Sequence, residues 1–312
     1  MRIRKIICLV CLICLTACTQ VRSFDLPGGI TALKGIDHSG LQSPIWSPDG
    51  KRIAASYVIE AMPDIAGFFG PKPRHDVVII DTKTWEASIL LSEKSGNLVA
   101  ESWLPDSRSF AMFWSDGPEG NGIYLFEVDD IKLTYFSKSG ALSPDLEKTA
   151  IFDDPYIKIT DTQTQDIQRF KVPFTGEWGI YAWSPDMKQL TLIYRKNDKD
   201  RFENVYLLEL NSGNFVQFTN ESSFFKHSPT ISPNGQYIAY VAWRFTENDI
   251  ENKLIISRLN HSCEWTVPVD NIDYFAWSPD SQRMFLIGTD GVYVADLNVL
   301  FGGSFSNGSS CP

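Results

Sequence analysis

Apolar residues in this chain fall in short runs that are separated by turn residues, and the runs recur in similar sets along its length. Most of them are rich in β-branched and aromatic residues, which favour strands. Beyond the N-terminal segment, none sustains the spacing of a helix. One run of each set lies at 53–57, 110–113, 150–152, 190–194, 238–241 and 284–287. The pattern predicts an all-β chain of short antiparallel strands.

One turn sequence precedes these runs in all six sets. Its fullest copy is Trp46-Ser47-Pro48-Asp49-Gly50. Proline presets the φ angle of a type I turn, and the aspartate that follows can bond to its own backbone. In the other copies the large apolar residue is Trp103, Leu142, Trp183, Ile231 and Trp277. We expect these residues to pack in the core between sheets, and the third set, with leucine, to be thinner or irregular.

The last residue of the turn is expected in the left-handed region of backbone space, which glycine adopts without steric cost. Gly50 and Gly235 suit that position. If the turn geometry is kept, a side chain there costs about 1 kcal/mol. The other four copies have a side chain at this position; the residues are Ser107, Leu146, Met187 and Ser281.

Each set predicts four strands, one before the turn and three after it, and successive sets start 39 to 57 residues apart. A four-stranded unit of this length is typical of a β-propeller blade. The sixth set lacks a fourth strand, and the strand-like run at 30–36 belongs to no other set. We therefore predict a six-bladed β-propeller over 30–300, closed by this N-terminal strand, with a C-terminal tail over 301–312.

The N-terminal segment has the features of a signal peptide. A basic start, residues 2–5, precedes twelve uncharged residues, 6–17, whereas a membrane span takes about 20. Leu15-Thr16-Ala17-Cys18 resembles the bacterial lipobox. That resemblance implies cleavage before Cys18, lipidation of its thiol and stable membrane attachment, with 18–29 as a tether. The alternative is an ordinary secretory signal or an uncleaved anchor, with the cysteine incidental.

Removal of residues 1–17 takes away three of the 28 basic residues and none of the 38 acidic ones, which leaves a net charge of −13. Such acidity argues against nucleic acids and anionic membrane surfaces as partners. Apart from Cys18, only Cys263 and Cys311 of the six cysteines then remain. In an exported chain these two are candidates for one disulfide, and two unpaired thiols are the alternative.

The Trp-Ser-Pro-Asp-Gly turn with its following strand resembles the repeat of TolB-type propellers, and it is similar to propellers attached to prolyl oligopeptidase-like enzymes. The resemblance covers nearly all of residues 30–297. For TolB it implies a soluble periplasmic protein that binds partners and has an additional N-terminal domain. The lipobox and the short stretch 19–29 depart from that pattern. We therefore carry over the blade and not the role in the Tol system.

No catalytic motif stands out in the sequence, which contains no G-x-S-x-G, H-E-x-x-H, P-loop or G-x-G-x-x-G. The turn aspartates occupy equivalent places in separate blades, so they are expected around a rim rather than together. We interpret the four histidines as surface or capping residues of different blades; they are His38, His75, His227 and His261. We expect no catalytic residue, no metal and no cofactor.

Partner binding is expected on the rim that carries the loops between second and third strands and the connections between blades. We call it the irregular rim, and the opposite one, with the short Pro-Asp turns, the turn rim. Variable loops on a rigid scaffold are where function usually lies. The apolar insertion at 59–75 is the main candidate, with a lid over the channel as the alternative. Its candidate residues are Met62, Ile65, Phe68, Phe69, Lys72 and Arg74.

A second candidate site is the mouth of the central channel. The residue four positions before each large apolar turn residue should face the mouth if the first strands line the channel. The polar members of this set are Gln42, Lys138, His227 and Asp273. They are candidates for binding a small polar or ionic ligand, and contact with channel water alone is the alternative.

Two functions from different classes remain. The first is an exported, non-catalytic lipoprotein, attached to a bacterial membrane on its periplasmic or outer face. As a monomer it would bind a protein or peptide of the cell envelope through the irregular rim. The second is a small-ligand-binding or enzymatic propeller, hydrolase-like or lyase-like, that uses the central channel. Converging carboxylates or histidines in the channel would favour the second function, and an apolar patch over 59–75 would favour the first.

Overall fold

A computed structural model describes residues 26–59, 74–93, 96–137, 140–195, 203–220, 223–247, 250–302 and 305. These residues form 24 strands and one helix of four residues. The first twelve strands are β1 (Ile30–Leu33), β2 (Leu41–Trp46), β3 (Arg52–Ile59), β4 (Arg74–Asp81), β5 (Ala87–Glu93), β6 (Leu98–Trp103), β7 (Ser109–Trp114), β8 (Gly122–Glu127), β9 (Lys132–Ser137), β10 (Ala141–Leu142), β11 (Lys148–Asp153) and β12 (Tyr156–Asp161).

The second half of the chain continues the series in the same manner. Its elements are β13 (Ile167–Lys171), β14 (Glu177–Trp183), β15 (Gln189–Arg195), β16 (Glu203–Glu209), β17 (Asn214–Gln217), β18 (Phe225–Ile231), β19 (Tyr237–Phe245), β20 (Ile250–Arg258), β21 (Glu264–Thr266), β22 (Ile272–Trp277), β23 (Arg283–Gly288), β24 (Gly291–Asp296) and α1 (Leu297–Leu300). Among the described residues, no helix is both long and apolar enough to cross a bilayer.

The strands form six four-stranded antiparallel sheets, which confirms the predicted all-β propeller of six blades. Blades 1 to 5 are β2–β5, β6–β9, β10–β13, β14–β17 and β18–β21. Blade 6 consists of β22–β24 and is completed by β1, whose Ile30 lies opposite Ala295 and whose Leu33 lies opposite Val292. The N-terminal run thus closes the ring, as its lack of any other place in the repeat predicted.

The hydrophobic core lies between blades rather than within them. Six clusters of buried side chains each join two neighbouring sheets, and together they cover every adjacent pair, including blades 6 and 1. Phe285 of blade 6, for example, packs with Ile53 and Ile80 of blade 1. Because a sheet with one exposed apolar face is unstable in water, each blade depends on both of its neighbours.

The repeated tryptophans belong to these seams, as predicted. Trp103 donates its indole N–H to the Ile45 carbonyl of blade 1 at 3.0 Å, and Trp183 donates to the Ala141 carbonyl of blade 3 at 2.8 Å. A buried indole N–H needs such an acceptor, and here the acceptor lies in the preceding blade. The seam between blades 2 and 3, where Leu142 replaces tryptophan, has the smallest buried cluster, and β10 is only two residues long. The third blade is therefore irregular, as expected.

Each Pro-Asp turn is held by its own side chains. Ser47 Oγ donates to Asp49 Oδ1 at 2.8 Å and accepts from the Arg52 N–H at 2.9 Å. The same pair of bonds is made by Ser143, Ser184, Ser232 and Ser278. All five serines are almost completely buried, so their hydroxyls replace the water that the turn would otherwise need.

The described residues that follow β24 pack onto blade 5. Asp296 caps α1 by accepting from the Val299 N–H at 3.1 Å, and beyond the helix the Phe305 ring stacks on Tyr237 with 4.2 Å between centroids. Tyr237 also donates its hydroxyl proton to the Phe305 carbonyl. Cys263 is buried in the same region and disulfide-bonded. Its predicted partner, Cys311, lies outside the described residues.

Candidate functional site

The first strands of all six blades line one central cavity of about 610 Å³. Five of these strands shift register against the second strand of their blade. A bulge adds a residue that has no opposite partner and turns its side chain out of the alternating pattern. In blade 2 that residue is Glu101, in blade 4 it is Tyr181 and in blade 6 it is Asp273. The bulges therefore decide which polar groups face the channel.

Glu101 is the one carboxylate in the lining of this cavity, as far as the described residues go. Its Oε2 atom is shielded from solvent and has no hydrogen-bond partner among them. Desolvation raises the pKa of Glu101 to about 7. A carboxyl group without a compensating donor is costly in such a place, and strained or unpaired groups of this kind concentrate at functional sites.

The rest of the channel wall is uncharged and combines apolar and aromatic side chains with serine, threonine and tyrosine hydroxyls. Tyr181, Tyr274, Phe275 and Phe113 contribute rings to it. Tyr181 remains 43% exposed although it lies inside the propeller, because its side chain faces the open space of the channel. Thr230 Oγ1, also in the lining residues, is buried without a hydrogen-bond partner in the described structure.

The predicted channel-mouth residues come together on the irregular rim. Gln42, His227 and Asp273, from blades 1, 5 and 6, line one cavity of about 530 Å³. Tyr274 lines both this cavity and the central one, so the two adjoin. His38 shares the mouth and bonds through Nε2 to the Thr289 carbonyl at 2.9 Å. The fourth predicted residue, Lys138, lies outside the described residues.

The two titratable side chains His227 and Asp273 of the mouth are hydrogen-bonded to their neighbours rather than to each other. Asn252 donates to Asp273 Oδ1 at 2.7 Å, and His227 Nδ1 lies 3.1 Å from Ser228 Oγ. Desolvation raises the pKa of Asp273, partly offset by the Asn252 hydrogen bond, and desolvation lowers the pKa of His227. Desolvation at the mouth therefore favours the neutral form of the His227 imidazole.

Three of the four histidines differ from their interpretation as scattered surface or capping residues. His38 and His227 line the same cavity although they belong to different parts of the chain. His75 lies buried in β4, where desolvation lowers its pKa. His261 stacks on Phe218 with 4.2 Å between ring centroids. Within the described residues, no group of three or more His, Cys, Asp or Glu side chains is arranged to hold a metal ion.

The irregular rim of blade 5 carries an aromatic cluster that the sequence pattern did not single out. Phe225 stacks on Trp243 with 4.4 Å between centroids, and Trp243 meets Phe245 edge-on at 5.2 Å. Phe245 is 67% exposed and Ile250, across the same hairpin, is 45% exposed. On blade 4 the same rim has Phe174, which is exposed above Tyr194.

The hairpin that presents this cluster is held in place by charges. Its strands β19 and β20 are nine residues each, the longest in the described structure. Glu251 pairs with Arg244 and with Lys253, each at 2.6 Å. The Arg244 guanidinium also lies 4.6 Å from the centre of the Phe224 ring. The apolar tip is thus supported by a polar stem rather than buried in the core.

Of the predicted insertion residues, the structure describes the position of Arg74, which is the first residue of β4. The lipidation candidate Cys18 and the insertion residues Met62, Ile65, Phe68, Phe69 and Lys72 lie outside the described residues.

No protein-family model matches the sequence, and no curated protein matches it. Solved structures do match. TolB from Acinetobacter baumannii superposes with a TM-score of 0.56 and 19% identity, over 79% of this chain and 64% of that one. A putative TolB from Agrobacterium tumefaciens gives a TM-score of 0.58 and 16% identity, over 82% of this chain and 90% of that one. The fold is a TolB-like six-bladed β-propeller.

The fold also superposes on a protein that is not described as a TolB. A chain of a mitotic checkpoint complex superposes with a TM-score of 0.54 and 14% identity, over 89% of this chain and 98% of that one. The present chain spans about 64% of the length of the Acinetobacter protein. At these identities the likeness concerns the fold, and the function has to be argued from the site.

Proposed function

We propose that the chain is a non-catalytic lipoprotein of the bacterial cell envelope that binds a protein or peptide partner through its irregular rim. The observation that carries the proposal is the exposed aromatic cluster of blade 5, with Phe245 67% exposed at its tip. Exposed aromatic side chains on a rigid support are typical binding anchors, since little conformational entropy is lost when they are covered. The TolB-like fold and the lipobox resemblance support the envelope setting.

The enzymatic alternative finds partial support in the channel mouth, where His227 and Asp273 line one cavity. Each of these groups is engaged by its own neighbour, Ser228 and Asn252, and not by the other. A nucleophile and its general base typically lie within hydrogen-bond reach of each other. No such contact joins His227 and Asp273 in the described structure, so we rank binding at the mouth above catalysis.

The rim proposal is tested by crosslinking in intact cells with Phe245→Ser combined with Ile250→Ser. We expect loss of the crosslinked partner seen with the wild type, because the apolar contact area at the hairpin tip is removed. The matched control is Ile131→Ser, which changes an equally exposed side chain, 61% exposed, on the turn rim. Retention of the same crosslink in the double variant, or its equal loss in the control, would contradict the rim as binding surface.

The membrane attachment is tested separately with Cys18→Ser, followed by fractionation and by labelling with a palmitate analogue. We expect the variant to lose the label and to leave the membrane fraction, because the acyl chains supply the anchoring free energy. A variant that stays in the membrane fraction would show that the N-terminal segment anchors the chain by another route.

A further inference from the structure

The central channel has a chemical character of its own, distinct from that of the rim. Among the described residues its lining holds a single carboxylate, Glu101, beside the rings of Tyr181, Tyr274, Phe275 and Phe113. Its volume of about 610 Å³ falls within the range of small-molecule sites, about 300–1,000 Å³. Every blade contributes to the wall, so the cavity is built by the closed ring and not by one flexible loop.

Unmet hydrogen bonding in the channel indicates what kind of ligand would fit. Glu101 Oε2 and Thr230 Oγ1 are both buried without a partner in the described part of the chain. In its ionised form Glu101 only accepts hydrogen bonds, so the ligand group that would favour this form is a donor. A positively charged donor satisfies the carboxylate best, because charge-assisted hydrogen bonds are the stronger ones.

The same lining excludes other classes of ligand. An anion would meet an uncompensated carboxylate in a chain whose net charge is −10. A metal ion is usually held by several carboxylate or imidazole ligands, and Glu101 is the one such side chain among the described lining residues. Aromatic faces, in contrast, attract organic cations and cover their hydrocarbon portions.

We propose that the channel binds a small primary amine in its ammonium form, carried on an aromatic or aliphatic body. Glu101 accepts the ammonium hydrogen bonds, and the rings of Tyr181, Tyr274 and Phe275 pack against the body. This inference does not depend on the rim proposal, since it concerns different residues and a different class of ligand.

Calorimetric titration of the full chain in a non-ionic detergent tests the chemistry of the ligand. The probes are 2-phenylethylamine, its neutral analogue 2-phenylethanol and the anion phenylacetate. We expect the amine to bind at least about tenfold more tightly than the alcohol, since the charged hydrogen bond is absent in the latter, and phenylacetate not to bind. Equal binding of the three probes, or no binding of the amine at millimolar concentration, would overturn the proposal.

Variants test the residue assignment. Glu101→Gln should weaken amine binding at least about tenfold, whereas the exposed turn-rim change Glu86→Gln should leave it unchanged. Tyr181→Ala, at a partly exposed position, should also weaken binding while the thermal unfolding midpoint stays the same, which keeps the test valid if the first variant folds poorly. Wild-type affinity in either channel variant would overturn the assignment.

The pH dependence of amine binding gives an independent readout. The ammonium form pairs with ionised Glu101, so affinity should rise about tenfold from pH 6 to pH 8 as that carboxyl loses its proton. Tyr181 and Tyr274 are the other ionisable groups of the described lining, and His227 and Asp273 stand at the mouth. These four remain in Glu101→Gln, so a pH slope that persists in this variant would exclude Glu101 as its source.

Discussion

At the scale of single residues, the last position of the repeated turn combines a left-handed backbone conformation with, in two copies, a side chain that bonds to the neighbouring blade. All six copies adopt positive φ there, from 57° at Ser107 to 74° at Gly50, so the predicted turn geometry is kept. At two of these positions, Ser107 and Ser281, the side chain makes a hydrogen bond that the turn sequence did not predict. Ser107 Oγ accepts from the Asp49 N–H of blade 1, and Ser281 Oγ accepts from the Asn234 N–H of blade 5, both at 3.0 Å. Each hydroxyl therefore joins two blades.

Replacement of Ser281 by alanine tests this link. The backbone strain stays the same, but the Asn234 N–H loses its acceptor, so we expect the free energy of unfolding to fall by about 1–2 kcal/mol. Chemical denaturation measures the change. The control is Thr175→Ala, at an exposed position between β13 and β14, which should leave the unfolding midpoint within error. A fall of the same size in the control would contradict the inter-blade role.

Glu101 makes folding stability depend on pH. Its pKa in the folded chain is about 7, raised by desolvation above the usual 4.5. The folded state therefore holds this proton more tightly than the unfolded state, and stability falls as pH rises from about 4.5 to 7. The loss is on the order of 3 kcal/mol for a shift of this size.

The measurement is the free energy of unfolding of the wild type and of Glu101→Gln at pH 5 and pH 8. His227 has a lowered pKa and contributes a slope of opposite sign, so the comparison between the two proteins isolates Glu101. We expect the variant to gain stability relative to the wild type as pH rises. A constant difference between them would mean that the carboxyl titrates at its ordinary pKa.

At the scale of elements, the blades are similar in topology but unequal in packing. Blades 5 and 6 share a cluster that includes Tyr237, Trp265, Trp277 and the tail residue Phe305. Between blades 2 and 3 the buried cluster is reduced to Ala111, Ile123 and Leu142. Since each blade is stabilised mainly through its seams, the third blade is the weakest part of the described ring.

Amide hydrogen exchange tests whether the third blade is less stable than the sixth. The amides of β10 and β11 should exchange at least about tenfold faster than those of β22 and β23, because local opening there exposes less apolar surface. Mass spectrometry of peptide fragments gives the comparison within one sample, so it needs no second variant. Uniform protection across these strands would show that the ring opens only as a whole.

At the scale of the whole molecule, closure of the ring depends on four residues near the N-terminus of the described chain. β1 pairs with β24, and the Asp296 N–H donates to the Gly29 carbonyl at 2.7 Å. By the alternation of an antiparallel ladder, the N–H of Thr31 then also faces β24. Without β1, β24 would be the edge strand of blade 6.

Replacement of Thr31 by proline removes that N–H from the ladder. We expect a loss of about 1–3 kcal/mol in the free energy of unfolding, the cost of leaving the opposite carbonyl without its donor. Thr31→Val is the control, since its side chain is exposed and its N–H is retained. If both variants unfold at the wild-type midpoint, β1 contributes nothing to closure.

The sequence by itself determined the number of blades, their strand order and the strand that closes the ring. These follow from local information, because turn chemistry and the alternation of apolar residues depend on neighbours along the chain. Only the tertiary structure decided which side chains meet in the middle. A bulge moves one residue out of the alternating pattern, so Glu101 could not be told from its neighbours by periodicity. The cavity that His38 and His227 share, and the stacking of Phe305 on Tyr237, likewise depend on how distant segments are placed around the closed ring.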